Sequence, residues 1–268
     1  VAAARPLASD AQVEQDLVLS RALVELFNVP VVADSVAVRG GSALHRLLFD
    51  PPGRYSEDID LVQVGPGPIG PILDAIRGAL DPWLGGPRRE SSDIAATLLY
   101  RFETSSRPVQ KLRLKVEINT REQFTVLGHR RHAFDVGSPW FSAGAGIRTY
   151  EVEELLGTKL RALYQRRKGR DLYDLWLALT RLELNDAKVI DCFKRYLEVK
   201  GARVSRAEFE ANLAAKLRSR AFLDDTVPLL PTGTAYDAAA AGAAVHRRLI
   251  ARLPGEPWRG AGPRPRVP

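Results

Sequence analysis

The chain has 268 residues, 45% of them apolar, enough to fill one large core or two medium ones. Its one cysteine, Cys192, excludes an internal disulfide and fits a reducing compartment, and no apolar run reaches membrane-spanning length. A formal net charge of +7 and a pI near 9.7 suit a polyanionic partner. Residues 1–8 read as a frayed start, and no apolar stretch follows a basic opening, so no secretory leader is expected. Ser9 and Asp10 can cap a helix running to Phe27, with Val13, Leu17, Ser20, Val24 and Phe27 on its buried stripe. Residues 31–38 read as a short strand interrupted by Asp34 and Ser35. Gly40, Gly41 and Ser42 then turn the chain, and Ser42 can either cap the segment after it or face a phosphate.

Residues 58–64 read as a strand. Side chains alternate along a strand, so Asp58 and Asp60 share one face while Ile59 and Leu61 enter a core. Two carboxylates forced together repel unless a cation sits between them, and a divalent metal carrying a triphosphate suits them. The competing reading is a solvated Asp-x-Asp on a surface strand. A helix over 69–80 and strands over 95–104 and 111–119 follow. In the last strand Leu112, Leu114, Val116 and Ile118 form an apolar face, leaving Arg113, Lys115, Glu117 and Asn119 on the other. Glu117 becomes a third carboxylate if this strand neighbours the Asp58 strand; otherwise it is a solvated edge position. Residues 121–148 carry no clear period. His129 and His132 among arginines suit exposed basic surface better than a metal site, and GSPWFSAGAG reads as a loop bridging two halves.

From Val152 onward the pattern is helical, with a break near Lys168-Gly169. Lys159 sits at the edge of an apolar stripe, where its stem can bury while its ammonium reaches a cleft. Asp171 and Asp174 share a helical face, and the plainer alternative is that Asp171 caps its helix and pairs with Arg167 or Arg170. Helices over 186–199, 206–217 and 235–253 complete the pattern, the second opened by a capping box at Ser205 and Glu208. Cys192 reads as a core residue of the first of these. The expected organisation is a catalytic domain over 1–148, a helical domain over 149–253 completing the active-site cleft, and a disordered Pro/Gly/Arg-rich tail over 254–268. A phosphate turn, strand carboxylates, a lysine and the cluster 166-RRKGR-170 together suit phosphoryl or nucleotidyl transfer.

The segments GGSALHR, RYSEDIDL, KVEI and ELLGTKLRALYQRRKGRDLYDLW resemble the AbiEii/AbiGii-type toxins, including the mycobacterial MenT branch. The resemblance implies an α/β (α+β) fold: a polymerase-beta-like nucleotidyltransferase domain with a mixed sheet, then a helical bundle. It implies catalytic Asp58, Asp60, Lys159 and Asp171, metal carboxylates Asp58, Asp60 and Glu117, and nucleotide-binding Gly41, Ser42, Arg46, Arg54, Lys168 and Asp174. Asp224 matches a late family acid on order alone. The implied cofactor is magnesium, or manganese in its place, with a nucleoside triphosphate, CTP favoured. The implied activity adds pyrimidine nucleotides to the 3′ acceptor end of tRNA, blocking aminoacylation and translation. The implied partners are tRNA and a cognate antitoxin encoded nearby, in the cytoplasm and without a membrane; the resemblance leaves the oligomeric state open. Transfer to a protein or small molecule, and a non-catalytic binding module, stand as alternatives.

Overall fold

A computed structural model describes residues 9–260, and the expected frayed start at 1–8 lies outside them. The chain divides into two compact units. The first takes the chain up to Glu151 together with Leu229–Thr234, and the second takes Val152–Pro228 and the chain from Ala235 on.

The first unit opens with α1 (Asp10–Phe27), whose N-terminus is capped by the Ser9 hydroxyl accepting from the Gln12 N–H. Of the expected stripe, Ser20, Val24 and Phe27 are buried. Leu19, Leu23 and Leu26 are fully buried, whereas Val13 and Leu17 are only half-buried. Residues 30–35 form a one-turn helix, α2 (Pro30–Ser35), and the strand expected over 31–38 shrinks to β1 (Val36–Arg39). Pro30 in the first turn has its φ preset for a helix and lacks an N–H that would go unpaired there, which outweighs the β-branched residues after it. Gly40–Ser42 forms the helical turn α3, which passes into a π-helical stretch, Ala43–Leu48. Then come β2 (Asp58–Gln63), α4 (Gly70–Leu84), β3 (Arg88–Ser91), β4 (Ala95–Glu103) and β5 (Lys111–Asn119). The segment without a readable period is a hairpin, β6 (His129–Gly137) and β7 (Ser142–Tyr150); of the expected loop GSPWFSAGAG, residues 138–141 form its turn and 142–146 begin β7.

These strands form a mixed seven-stranded sheet in the order β3-β4-β5-β2-β1-β7-β6. The central pair β2 and β5 is parallel, with Asp58 opposite Lys115 and Asp60 opposite Glu117. One face carries Ile59, Leu61, Leu114, Val116 and Ile118, all essentially inaccessible, and packs against α1. The opposite face of β2 and β5 is left half-open.

The second unit contains α5 (Val152–Gln165), α6 (Gly169–Arg181), α7 (Asp186–Glu198), α8 (Arg206–Leu217), α9 (Arg220–Asp224) and α10 (Ala238–Arg248). α5 lies against α7 because Gly157 has no side chain: a Cβ there would stand 2.6 Å from that of Cys192. Cys192 is fully buried, and that burial pushes its thiol up to about 12, the behaviour of an inert core residue. The capping box at Ser205 and Glu208 is present, both arms formed. Residues 254–260, expected to start a disordered tail, are instead tied to α8. The Arg206 N–H donates to the Pro254 carbonyl at 2.8 Å, and the Trp258 N–H donates to Glu210 Oε2 at 2.6 Å. The remainder of that tail, 261–268, lies outside the described residues.

Candidate active site

The site in the first unit is built on strand register. Side chains of paired residues project to the same side of a sheet, so Arg39, Asp58, Asp60, Lys115 and Glu117 all stand on the half-open face. Asp58 and Glu117 are each more than a third exposed. Burial raises the Asp58 pKa, Lys115 offsets part of that rise, and the nearby charges of Asp60 and Glu57 add to it. The Lys115 ammonium donates to Glu117 Oε2 at 3.0 Å and lies 3.8 Å from Asp58 Oδ2. Burial would lower the Lys115 pKa, but the carboxylates of Glu117, Asp58 and Asp60 raise it above its usual value. Arg39 is ion-paired with Glu122 at 2.5 Å.

The two glycines serve this face for different reasons. Gly40 has φ +75°, and a Cβ on it would overlap Asp60 Oδ2, so only glycine allows that carboxylate its position. Gly41 is crowded from behind, where a Cβ would stand 2.7 Å from Arg54 Nη2 and 3.1 Å from Ser56 Oγ. Ser42 forms no side-chain cap. Its hydroxyl is fully buried, donates to the Asp58 carbonyl and shares a 3.1 Å hydrogen bond with Ser56 Oγ. It therefore ties the Gly-Gly-Ser turn to the start of β2. Arg54 is buried and donates to the Tyr55 carbonyl at 2.8 Å. Arg46, expected among the nucleotide-binding groups, points inward. Its guanidinium is 2.9 Å from Asp16 Oδ1 and donates to Ser20 Oγ and the Ser56 carbonyl.

The motif residues of the second unit form a separate network. Lys159 is buried, with its ammonium 2.8 Å from Asp174 and 3.3 Å from Asp171. Both carboxylates are fully buried. Arg166 reaches Asp171 through two hydrogen bonds, at 2.6 and 2.7 Å. The expectation of a buried stem with a protruding ammonium thus gives way to a cation held between two acids. Asp171 pairs with Arg166 and Lys159, not with Arg167 or Arg170. Asp225, not the exposed Asp224, meets this turn: it lies 3.3 Å from both Lys168 and Arg170. Gly169 permits the contact, since a Cβ there would overlap the Phe222 carbonyl oxygen.

The structure thus brings Asp58, Asp60 and Glu117 to one face, and Lys159, Asp171 and Asp174 to one cluster. Sequence reasoning missed Lys115 and Arg39 as members of the first. Lys115 was legible in the alternation of β5, two residues before Glu117, and Arg39 in its place directly before the glycines. Among the described residues no group of three or more His, Cys, Asp or Glu is assembled to hold a metal ion. Asp58 and Asp60 are hard oxygen donors on one open face, a set that fits a divalent cation completed by water and triphosphate oxygens.

Comparisons with known proteins bear on the fold and the family. No curated protein sequence matches the chain significantly. Among solved structures, MenT4, a nucleotidyltransferase toxin from Mycobacterium tuberculosis, superposes with a TM-score of 0.64 at 18% identity, covering 93% of this chain and 88% of its own. JHP933 from Helicobacter pylori gives a TM-score of 0.53 at 16% identity, with 90% of each chain covered. These likenesses establish the shared fold. The family model for the nucleotidyl transferase AbiEii toxin of type IV toxin–antitoxin systems matches residues 21–243, a span holding the carboxylate face and the ion cluster alike. With that match laid over a glycine turn, an Asp-x-Asp strand and a parallel neighbour carrying Glu117, the chain belongs to the AbiEii nucleotidyltransferase toxin family.

Proposed function

We propose that this nucleotidyltransferase toxin adds nucleotides, CTP favoured, to the 3′ acceptor end of tRNA, and so blocks aminoacylation and translation in the cytoplasm. The observation that supports it best is the register placing Asp58, Asp60 and Glu117 on one half-open face. The net charge of +7 favours a polyanionic acceptor. An antitoxin follows from the family, and its mode of action is left open by this reading.

Asp58 and Asp60 would hold the magnesium, or manganese, that carries the triphosphate. The ion supplies charge neutralisation on the phosphates. The protein aligns the acceptor hydroxyl with the α-phosphorus. The new O–P bond forms as the bond to pyrophosphate breaks, and the hydroxyl proton leaves to solvent or a nearby carboxylate. Gly40 gives Asp60 its position, and buried Ser42 and Arg54 fix the turn behind it. In the second unit the Lys159–Asp171–Asp174 cluster would set the shape of the 166–170 turn, leaving the exposed side chain of Arg167 to meet phosphate, while Lys168 is paired with Asp225.

The test incubates the purified protein with each labelled triphosphate plus total tRNA or cell protein. Label from CTP at the tRNA 3′ end is the expected result. Label only in protein, or only in a small molecule, would overturn the tRNA reading and leave the family assignment standing.

A further inference from the structure

Lys115 stands on the carboxylate face in a position that the metal reading leaves unexplained. We propose that Lys115 is a positioning residue occupying the place a second divalent cation would need. The site then works with one ion on Asp58 and Asp60, and Glu117 anchors Lys115 instead of ligating metal. This rests on reading the face as the metal–nucleotide site.

Three observations carry it. The ammonium is already bonded to Glu117 at 3.0 Å and lies 3.8 Å from Asp58, between the acids that a second ion would have to bridge. Its strand partners are Asp58 on β2 and Leu99 on β4, so the β4 side offers no competing carboxylate. The other charged groups on this face are Asp60, with Arg39 opposite it, and, further along β5, Arg113 and Lys111 opposite Arg101 and Glu103 of β4; Glu57 lies close to Asp58. Among the described residues no group of three or more His, Cys, Asp or Glu is placed to hold a metal ion. A divalent ion brought between Asp58 and Glu117 would meet a fixed like charge at near contact, and the repulsion is large at that range even in a polar environment. The first position, on Asp58 and Asp60, has Arg39 opposite Asp60, but that guanidinium is already ion-paired with Glu122. Lys115 also keeps the face from carrying three uncompensated acids before substrate arrives, and so holds Glu117 and Asp58 in place.

The experiment titrates Mn²⁺ into the full chain, followed by electron paramagnetic resonance, with an α,β-methylene analogue of CTP as the nucleotide probe. Circular dichroism checks that each variant is folded. The wild type is expected to bind a single tight Mn²⁺ on this site, identified by its loss in Asp60→Asn. Glu117→Gln is expected to keep that ion within about fivefold of its affinity, since no ligand is removed. Lys115→Ala is expected to admit a second Mn²⁺, and Lys115→Arg to exclude it again. Two ions in the wild type, one of them lost in Glu117→Gln, would overturn the proposal while leaving the metal–nucleotide reading intact. A wild type that binds no Mn²⁺ with the analogue and transfers no nucleotide would overturn both.

Discussion

Two groups of charged side chains carry the family motifs, and they are held in opposite ways. On the β2–β5 face, Asp58, Asp60 and Glu117 are gathered half-exposed with Lys115 as their close cation, so negative charge is left over. In the α5–α6 cluster, Lys159 and Arg166 are matched by Asp171 and Asp174, and the two acids are fully buried. The first arrangement costs stability through repulsion, which a bound cation would relieve. The second matches each cation with a buried acid, and removing one acid takes a buried partner from Lys159. The two groups therefore differ in charge balance and exposure, and variants in each can tell which carries chemistry and which carries stability.

That contrast is most easily broken at Asp171. The family resemblance alone expects Asp171→Ala to lose transfer with folding untouched. The structure expects destabilisation as well, by about 3–5 kcal/mol, because Lys159 loses one of its two buried partners and Arg166 its bidentate acid. Urea unfolding of the variant measures it. An unchanged midpoint would move Asp171 from the structural group to the chemical one.

Gly40→Ala sharpens the other side. The substitution adds a Cβ at φ +75° that collides with Asp60 Oδ2, so the carboxylate must shift. A stability loss of about 1–2 kcal/mol is expected, with transfer falling by a factor of roughly 10²; the second effect is the larger because alignment is lost at the site itself. Steady-state transfer rates and thermal unfolding on one preparation separate the two.

The smallest effect is expected at Glu210, which belongs to neither group. Burial would raise its pKa, but hydrogen bonds from Arg206, His246 and the Trp258 N–H outweigh burial and hold it at about 2. A carboxylate whose folded pKa lies below its unfolded one stabilises the fold above the unfolded value, near 4.3, and that contribution is lost as the pH falls toward 2. Glu210→Gln should cost about 1 kcal/mol at pH 7 after allowance for solvent screening, and the difference from wild type should close on acidification between pH 4 and 2. A difference independent of pH would show that packing, not charge, holds residues 254–260 to α8.

Much of this was legible in the sequence, for identifiable reasons. β5 alternates cleanly over nine residues because one face is core and the other is not, so its ends and its polar row could be read directly. The helices of the second unit announce themselves by period, and Ser205 with Glu208 by capping chemistry. The β6–β7 hairpin was opaque. Its first strand opens on the basic run 129–132, its second opens on small residues that pair with residues 133–136, and much of both is exposed, so no apolar row marks a buried face. Arg46 was misplaced because its partner Asp16 is thirty residues away on another element, a contact that local spacing cannot reveal. Lys115 lay on the face that was read, but its role depends on the β2–β5 register, which only the fold supplies.

The central claim is that the β2–β5 face does the chemistry while contributing little to stability. It is tested most directly by measuring nucleotide transfer and thermal unfolding together on Asp60→Asn. The account predicts transfer reduced by about 10³-fold or more, with the unfolding midpoint unchanged or slightly raised by relief of repulsion. Undiminished transfer, or a collapse of stability matching that of Asp171→Ala, would contradict it.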